Sequence, residues 1–584
     1  MGACMSCLQH GQIRQSELAT KDTPVASPSS SPTATLEVTY LEQPELNPAA
    51  WLLTLDEIIK SRGGQLRSDL ECFTSGNSVQ MFASSDLYFA SAFADMEATN
   101  SSMSDEQDFI WVAGWSLSLN VPFMPLSSSH SPETTTLAQI IERAVLKRGV
   151  QVRVMLWANV QQQKEVAKAR DWLNAVAPEA EEEVALSPAR TKGSCLCIFD
   201  DRLPHHTSSH HQKMIVVKRQ NKLIAYVGGL DITHDRWDTL KHDQAQARVD
   251  HGIRKETQGW IDAALRLDGH AAKDIAATFI SRWNSGNLPC QDLDDRLLKF
   301  ENPPLFNNLP RLATITRNVD FPDTGKSNVQ IVRTFSPDEE ILYPEFAPKG
   351  ELSLLDARVK AIKQARNYVY IEDQYFFFMP QLMDALMEAL PRLLRVIVVV
   401  QRPTVTAESK VAGYEHLAFQ MAKPLISQFP GKFKIYTTKE ALGLYIHSKL
   451  VIVDDVYVSI GTSNWNRRSM TSDTEIAANI VDDELMTLAP EYGLSIQVSR
   501  AVRHFRLQKF SEMTGKSVEE LDLLGLEASC DVLDAASQDP STILDSLAID
   551  LKWEYLLFPP SYTLHIVDPD DLNGDEKQKP LEKH

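Results

Sequence analysis

Two short stretches of the 584-residue chain set a histidine and a lysine one residue apart inside apolar runs. They are HHQKMIVV, with His211 and Lys213, and IHSKLVIVDD, with His447 and Lys449. On a strand, side chains two residues apart share a face, so each pair is expected to point one way. An imidazole can attack or trade protons near neutral pH, and an ammonium group can hold an anion. Two such pairs converging make, in outline, a phosphodiester site. Asn464, in the GTSNW loop seventeen residues past His447, could donate a further hydrogen bond to phosphate oxygens, and Asp231 in GGLDI is its positional partner. A lone His–Lys pair would be surface decoration. Two pairs at equal offsets, each followed by a Gly-containing loop, are much harder to obtain by chance.

Elements able to carry these pairs recur twice. The first half reads FIWVAGWSL (109–117), an amphipathic stretch over 136–147, VQVRVMLW (150–157) and CLCIF (195–199). The second reads NYVYIEDQYFFF (367–378), PQLMDALMEAL (380–390), RVIVVV (395–400) and KIYTT (434–438). Short β-rich runs alternating with helical ones predict an α/β fold, and the repeat predicts two related lobes. The boundaries read as a Ser/Thr/Pro-rich tether over 1–48, a first lobe over 49–300, a Pro- and Asn-rich linker over 301–325, a second lobe over 326–513 and an acidic extension over 514–584. Within that extension Trp553, Tyr555, Leu556, Leu557 and Phe558 are expected to pack on the core, and the charged end to be mobile.

Composition removes several classes. Apolar residues are 43% and charged residues 23% of the chain, ordinary globular usage, and no run approaches the length of a bilayer-spanning helix. Lys and Arg number 58 against 78 Asp and Glu, a net charge of −20, which disfavours a protein that lives on non-specific attraction to nucleic acid. Seven scattered cysteines suit reduced thiols and an intracellular address. The start, MGACMSCL, fits M-G-x-x-x-[ST], the N-myristoylation pattern, through Gly2 and Ser6. One acyl chain binds membranes marginally, and with few basic residues following, a second chain on Cys4 or Cys7 is the natural supplement. The expected location is therefore cytoplasmic and membrane-associated.

The pattern H-x-K-x4-D followed by G-[ST/G]-x-[ND], carried twice, resembles the signature of the phospholipase D superfamily; H447-S-K449-L-V-I-V-D454 matches it in full. The flanks FDDRLPHHTSSHHQK, GGLDITHDRWDT, LRLDGHAAKDIAATFISRWN and YIEDQYFFF are similar to the phosphatidylcholine-type phospholipases D, over roughly residues 80–510. No C2 pattern is seen, and there is no room for a PX and PH pair, so the chain looks like a compact, bacterial-type core. The resemblance implies two similar α/β/α-sandwich lobes about a pseudo-twofold axis with one shared site. It implies phosphatidylcholine hydrolysis to phosphatidic acid through a phosphohistidine, with alcohol transfer. By analogy His211 attacks and His447 protonates the leaving alcohol, without metal or other cofactor, while Lys213, Lys449 and Asn464 hold the phosphate. Carboxylates that orient each imidazole are expected 25 to 30 residues downstream, where Asp238 and Glu475 stand. The implied partner is a phospholipid surface, not nucleic acid, and the expected state is a monomer.

Other features have plainer readings. Position seven after His211, Asp in the family pattern, is Lys218; an odd offset directs it away from the pocket. His205, His206, His210 and His211 lack firm zinc spacing, and Cys195 and Cys197 suit a core strand. The run Tyr375–Phe378 suits either a substrate channel or a buried strand end. Two rivals stand beside the phospholipase reading: a nuclease-like phosphodiesterase, and a degenerate protein that only binds lipid.

Overall fold

The computed structural model describes residues 41–103, 106–158, 163–177, 192–203, 208–252, 259–289, 309–315, 325–337, 343–403, 413–491 and 493–549. Seven strands of the first half are β1 (Thr74–Phe82), β2 (Phe109–Gly114), β3 (Gln151–Trp157), β4 (Ser194–Asp200), β5 (Met214–Arg219), β6 (Lys222–Gly228) and, after the short β7 (Gly259–Ile261), β8 (Ala264–Asp268). The second half supplies β9 (Ser327–Thr334), β10 (Tyr368–Asp373), β11 (Arg395–Val400), β12 (Phe433–Thr438), the short β13 (Leu444–Ile446), β14 (Lys449–Val453), β15 (Tyr457–Gly461) and β16 (Glu475–Asp482). A small β17–β18 hairpin (Leu485–Thr487, Gln497–Ser499) and the edge strand β19 (Leu544–Ser546) complete the set.

The order across the fifteen-stranded sheet is β19-β12-β11-β10-β14-β15-β16-β9-β1-β8-β6-β5-β2-β3-β4. Without β19 it reads as the same seven-strand sequence outward from the β9–β1 seam in both directions, the topology of two repeats joined edge to edge. β2, β3 and β4 run parallel, as do β10, β11 and β12. The helices Leu137–Glu142 and Gln163–Val176, and Pro380–Ala389 and Gly413–Gln428, make the crossovers such pairing demands.

Alternation along the strands builds three layers. In β2, Phe109, Trp111 and Ala113 face a core that spans both halves, where Trp111 stacks on Phe279 at 5.3 Å. Ile110 and Val112 face a separate core of the first half, which also takes Cys195 and Cys197. Helix His270–Trp283 and helix Arg500–Thr514 belong to the shared face, and helix Ser353–Gln364 to a third cluster beneath the second half. The α/β, two-lobed expectation holds.

One boundary differs from the sequence reading. The chain is already anchored at Leu41, which is buried, and at Glu42, whose N–H donates to Asn367 Oδ1 at 2.8 Å while Asn367 Nδ2 donates back, so a tether reaching residue 48 is too long. Helices Pro48–Trp51 and Leu55–Ser61, the latter closed by a Thr54–Glu57 capping box, bury Trp51, Leu52, Leu53 and Ile58 in the second lobe's core rather than the first's. The acidic extension is partly core: helix Leu526–Gln538 packs on the shared face, and β19 pairs antiparallel with β12. Of the linker, Leu312 is buried and exchanges backbone hydrogen bonds with the Asn284 side chain at 2.7 and 2.8 Å. The aromatic stretch 553–558, His205, His206 and residues 1–40, with Gly2, Cys4 and Cys7, lie outside the described residues.

Candidate active site

Both histidines stand just before the strands that follow them, in segments the opposite lobe grips. His211 N–H donates to Thr474 O at 3.0 Å, beside the bridge of His210 to Thr474. His447 N–H donates to Ile261 O at 2.8 Å, where β13 pairs with β7. Each repeat thus hands its histidine to the other across the seam.

The carboxylates cross in the same way. His211 Nδ1 lies 3.0 and 3.1 Å from the Glu475 carboxylate oxygens, and His447 Nδ1 lies 2.9 Å from Asp262 Oδ2. A carboxylate at Nδ1 fixes the neutral tautomer that carries its proton there and leaves the lone pair on Nε2. Asp238, read from sequence as the first orienting carboxylate, touches neither imidazole. It accepts from Trp260 N at 2.7 Å and pairs with His242 at 2.7 Å. The role expected of Asp238 at His211 is taken by Glu475, which the sequence reading assigned to His447, and His447 is served instead by Asp262, which sequence reasoning missed. A usable signal existed: Asp262-Ala-Ala leads into β8 as Glu475-Ile-Ala-Ala begins β16, and Gly228↔Ala264 repeats as Gly461↔Ala477.

The glycine loops make room for this crossing. A Cβ on Gly229 would fall 2.1 Å from Asp262 Oδ1, so only glycine lets that carboxylate in. At the equivalent position of the other lobe, Thr462 fills the space and donates to Glu475 Oε2 at 2.5 Å.

The lysines sit beside them. Lys213 Nζ donates to His211 O at 3.0 Å and pairs with Asp231 Oδ2 at 3.4 Å; Asp231 in turn accepts from Trp115 N at 2.8 Å. Lys449 Nζ bonds His447 O and stands 3.4 Å from Gln374 Oε1. Its register partner Asp373 accepts the Trp465 N–H at 3.0 Å, and next to Trp465 the buried Asn464 keeps its side-chain oxygen without a donor among the described residues. His211, Lys213, His447, Lys449 and Glu475 are therefore brought together, with Asn464 on the adjoining loop; Asp238 stands apart.

Electrostatics follow from burial of like charges. Burial, then the Lys213 and Lys449 ammonium groups, hold the His211 imidazole well below its ordinary value. Burial, Lys449, Arg236 and Lys213 do the same to His447. Burial also pushes Lys449 down to about 7 despite Asp262 and Asp373, raises Asp262 to about 6, and with Asp473 raises Glu475 to about 8. With Lys449 at about 7 its amine is only partly charged in the empty site, and an anion bound beside it restores that charge. Among the described residues no group of three or more His, Cys, Asp or Glu is arranged to hold a metal ion.

The unusual Lys218 has a structural explanation. In the second lobe the matching Asp454 accepts N–H groups of Arg366, Asn367 and Tyr368 at 2.6–2.8 Å, tying down the turn before β10. Lys218 faces the turn before β2, where carbonyls of Glu106 and Gln107 lie 3.5 and 3.4 Å away and the Glu106 carboxylate 3.5 Å. A donor has replaced an acceptor, outside the site. Lys218→Met is expected to cost about 1 kcal/mol in denaturant unfolding and to leave turnover within about twofold; a large loss of turnover at unchanged stability would contradict this.

Beside His447 the walls are aromatic. Trp260 lies 5.0 Å from the His447 ring and stacks on Tyr445 at 5.0 Å, and Tyr375 stacks on Phe377 at 4.7 Å near Tyr414. Phe376 turns instead into the core against Trp465 and Phe433.

The phospholipase D family model matches residues 102–383, and a model described as cardiolipin synthase, PLD-like domain matches 359–492. Phospholipase D beta 1 of Arabidopsis thaliana is 25% identical over 483 residues, 63% of this chain and 44% of that protein. Phospholipase D A of Dictyostelium discoideum is 26% identical over 508 residues, 75% of this chain and 36% of that one. The chain spans about half the length of the curated relatives it matches. Among solved structures, a phosphatidylserine synthase of Haemophilus influenzae Rd KW20 is 13% identical, covering 69% of this chain and 82% of its own, with a TM-score of 0.44.

Proposed function

Since the chain belongs to the phospholipase D superfamily, we propose that it acts on a glycerophospholipid, phosphatidylcholine foremost, releasing the headgroup alcohol and leaving phosphatidic acid. The observation that carries this reading is the crosswise pair of imidazole–carboxylate contacts, His211–Glu475 and His447–Asp262, flanked by Lys213 and Lys449. Two oriented imidazoles with two cations suit an in-line displacement at phosphorus that needs one attacking and one protonating group.

In this reading the phosphate monoanion settles between the lysines and offsets their charge, which restores proton affinity to the neighbouring imidazole. His211 Nε2 attacks phosphorus, the bond to the headgroup oxygen breaks, and His447 gives that oxygen its proton. A water or a primary alcohol then attacks the phosphohistidine, His447 takes back a proton, and the P–N bond breaks. Lys213, Lys449 and Asn464 serve the phosphate oxygens throughout.

Membrane contact belongs to the same proposal. No helix of the described residues is long and apolar enough to cross a bilayer, so access to lipid is assigned to acylation at Gly2 with Cys4 or Cys7, on a cytoplasmic membrane face, by a monomer. Phosphatidylcholine vesicles with a little 1-butanol test the chemistry. The expected products are phosphatidic acid and phosphatidylbutanol, both from the wild type. Absence of both, with cleavage of an oligonucleotide instead, would replace the phospholipase reading by the nuclease one.

A further inference from the structure

Asp238, displaced from the first rank of the site, is not idle. It lies in a buried chain of polar contacts that runs from the helix Arg500–Thr514 to the His447 imidazole. Glu512 Oε1 stands 3.4 Å from His242 Nε2, and His242 Nδ1 is 2.7 Å from Asp238 Oδ2. The same Asp238 oxygen takes the Trp260 N–H at 2.7 Å. The Trp260 indole N–H donates to Asp262 Oδ2 at 3.2 Å, and its ring lies 5.0 Å from that of His447, which holds the same Asp262 oxygen.

The chain is built at some conformational cost. His242 adopts a φ of +53°, a left-handed conformation that L side chains seldom take. Gly259 completes the fit: a Cβ there would lie 2.8 Å from Asp238 Oδ2 and 3.3 Å from His242 Nδ1. A strained histidine and an obligatory glycine converge on one carboxylate oxygen, the oxygen that positions Trp260.

We propose that His242 and Asp238 form a positioning relay for the His447 side of the site, seating Trp260 so that it holds the His447 imidazole and Asp262 in register. The relay is one step removed from the reacting atoms. It rests on the reading of His447 as the group that protonates the leaving alcohol. The groups facing His242 are Asp238 on its own loop and Glu512, which pairs with Lys509 at 2.5 Å; Arg248 stands 3.8 Å from Asp238. Lys509 also pairs with Glu372 at 2.8 Å, and Glu372 accepts from Ser448, the residue between His447 and Lys449, so both ends of the motif meet one network. Against burial, the bonds to Asp238 and Glu512 raise His242 to about 9, a charged partner for Asp238 at neutral pH.

The test is a pair of substitutions in the full chain. His242→Ala removes the partner of Asp238, whereas His242→Asn keeps a donor near the Nδ1 position and suits the left-handed φ. Expected are a 10- to 100-fold fall in kcat with KM within twofold for His242→Ala, and a fall of less than about threefold for His242→Asn. Imidazole NMR with labelled histidine supplies a readout independent of turnover: the His447 resonances move in His242→Ala and those of His211 do not. Equal losses in the two variants, or His447 resonances unmoved in His242→Ala, would overturn the relay. If the wild type turns over no phospholipid, the functional reading falls, and the resonances still decide the relay.

Discussion

His211→Ala is expected to lower turnover of phosphatidylcholine by at least about 10^4-fold, and His447→Ala by about 10^2- to 10^4-fold, with both proteins folded. The two losses differ in kind, and an activated substrate separates them. A phosphatidyl ester of p-nitrophenol has a leaving group that needs no proton, so removing the acid leaves the first step intact. His447→Ala should then release about one nitrophenol per site and stall as a phosphohistidine, since the same imidazole is needed to activate water. His211→Ala should give no burst. The reverse pattern would exchange the two roles, and a burst in neither would remove the covalent route. The pH profile carries the same logic. Burial and the two lysines hold both imidazoles below their ordinary value near 6.5, so the attacking nitrogen is already unprotonated there. The acid limb of kcat/KM for the wild type is expected below pH 6.5.

Much of this arrangement was legible because it is written in local periodicity. Short β-rich runs in 109–117 and 395–400 mark strands, and the equal spacing of His211–Lys213 and His447–Lys449 marks the repeat. Glu475 was found since it lies 28 residues past His447, with only β14, β15 and a short helix between. Asp262 lies 51 residues past His211, because the first lobe inserts a segment that contains helix Ala245–Asp250 ahead of β8. Asp238 stands at the spacing that fits but bonds His242 and the Trp260 N–H. No local pattern reports that each carboxylate serves the histidine of the opposite lobe; that is a consequence of β7 and β13 pairing across the seam. Nor could periodicity show that Trp51 and Ile58 fill the second lobe's core, as contacts so distant in sequence leave no periodic trace.

Exchange of carboxylates across the seam makes a second large effect expected: Glu475→Gln and Asp262→Asn should each lower kcat by about 10^2- to 10^4-fold with KM little changed. At Glu475, raised to about 8, the contrast is full only above that pH: an ionised carboxylate can only accept from Nδ1, whereas an amide can donate to it. The imidazole then holds its proton on Nε2, the nitrogen that must be free to attack. Glu475→Gln should therefore abolish the nitrophenol burst, since it disarms His211, whereas Asp262→Asn should leave the burst and slow breakdown of the phosphohistidine. A double-mutant cycle fixes the crossing. In the His447→Ala background Asp262→Asn has no imidazole left to act through and should add almost nothing, while Glu475→Gln should still remove the burst. If instead Asp262→Asn kept its full cost without His447, or Asp238→Asn proved the more damaging of the two aspartate changes, the contact at 2.9 Å between His447 and Asp262 would not be the one that orients the acid. The same crossing implies that neither lobe alone holds a finished imidazole–carboxylate pair, so activity should require both repeats joined along the β1–β9 seam.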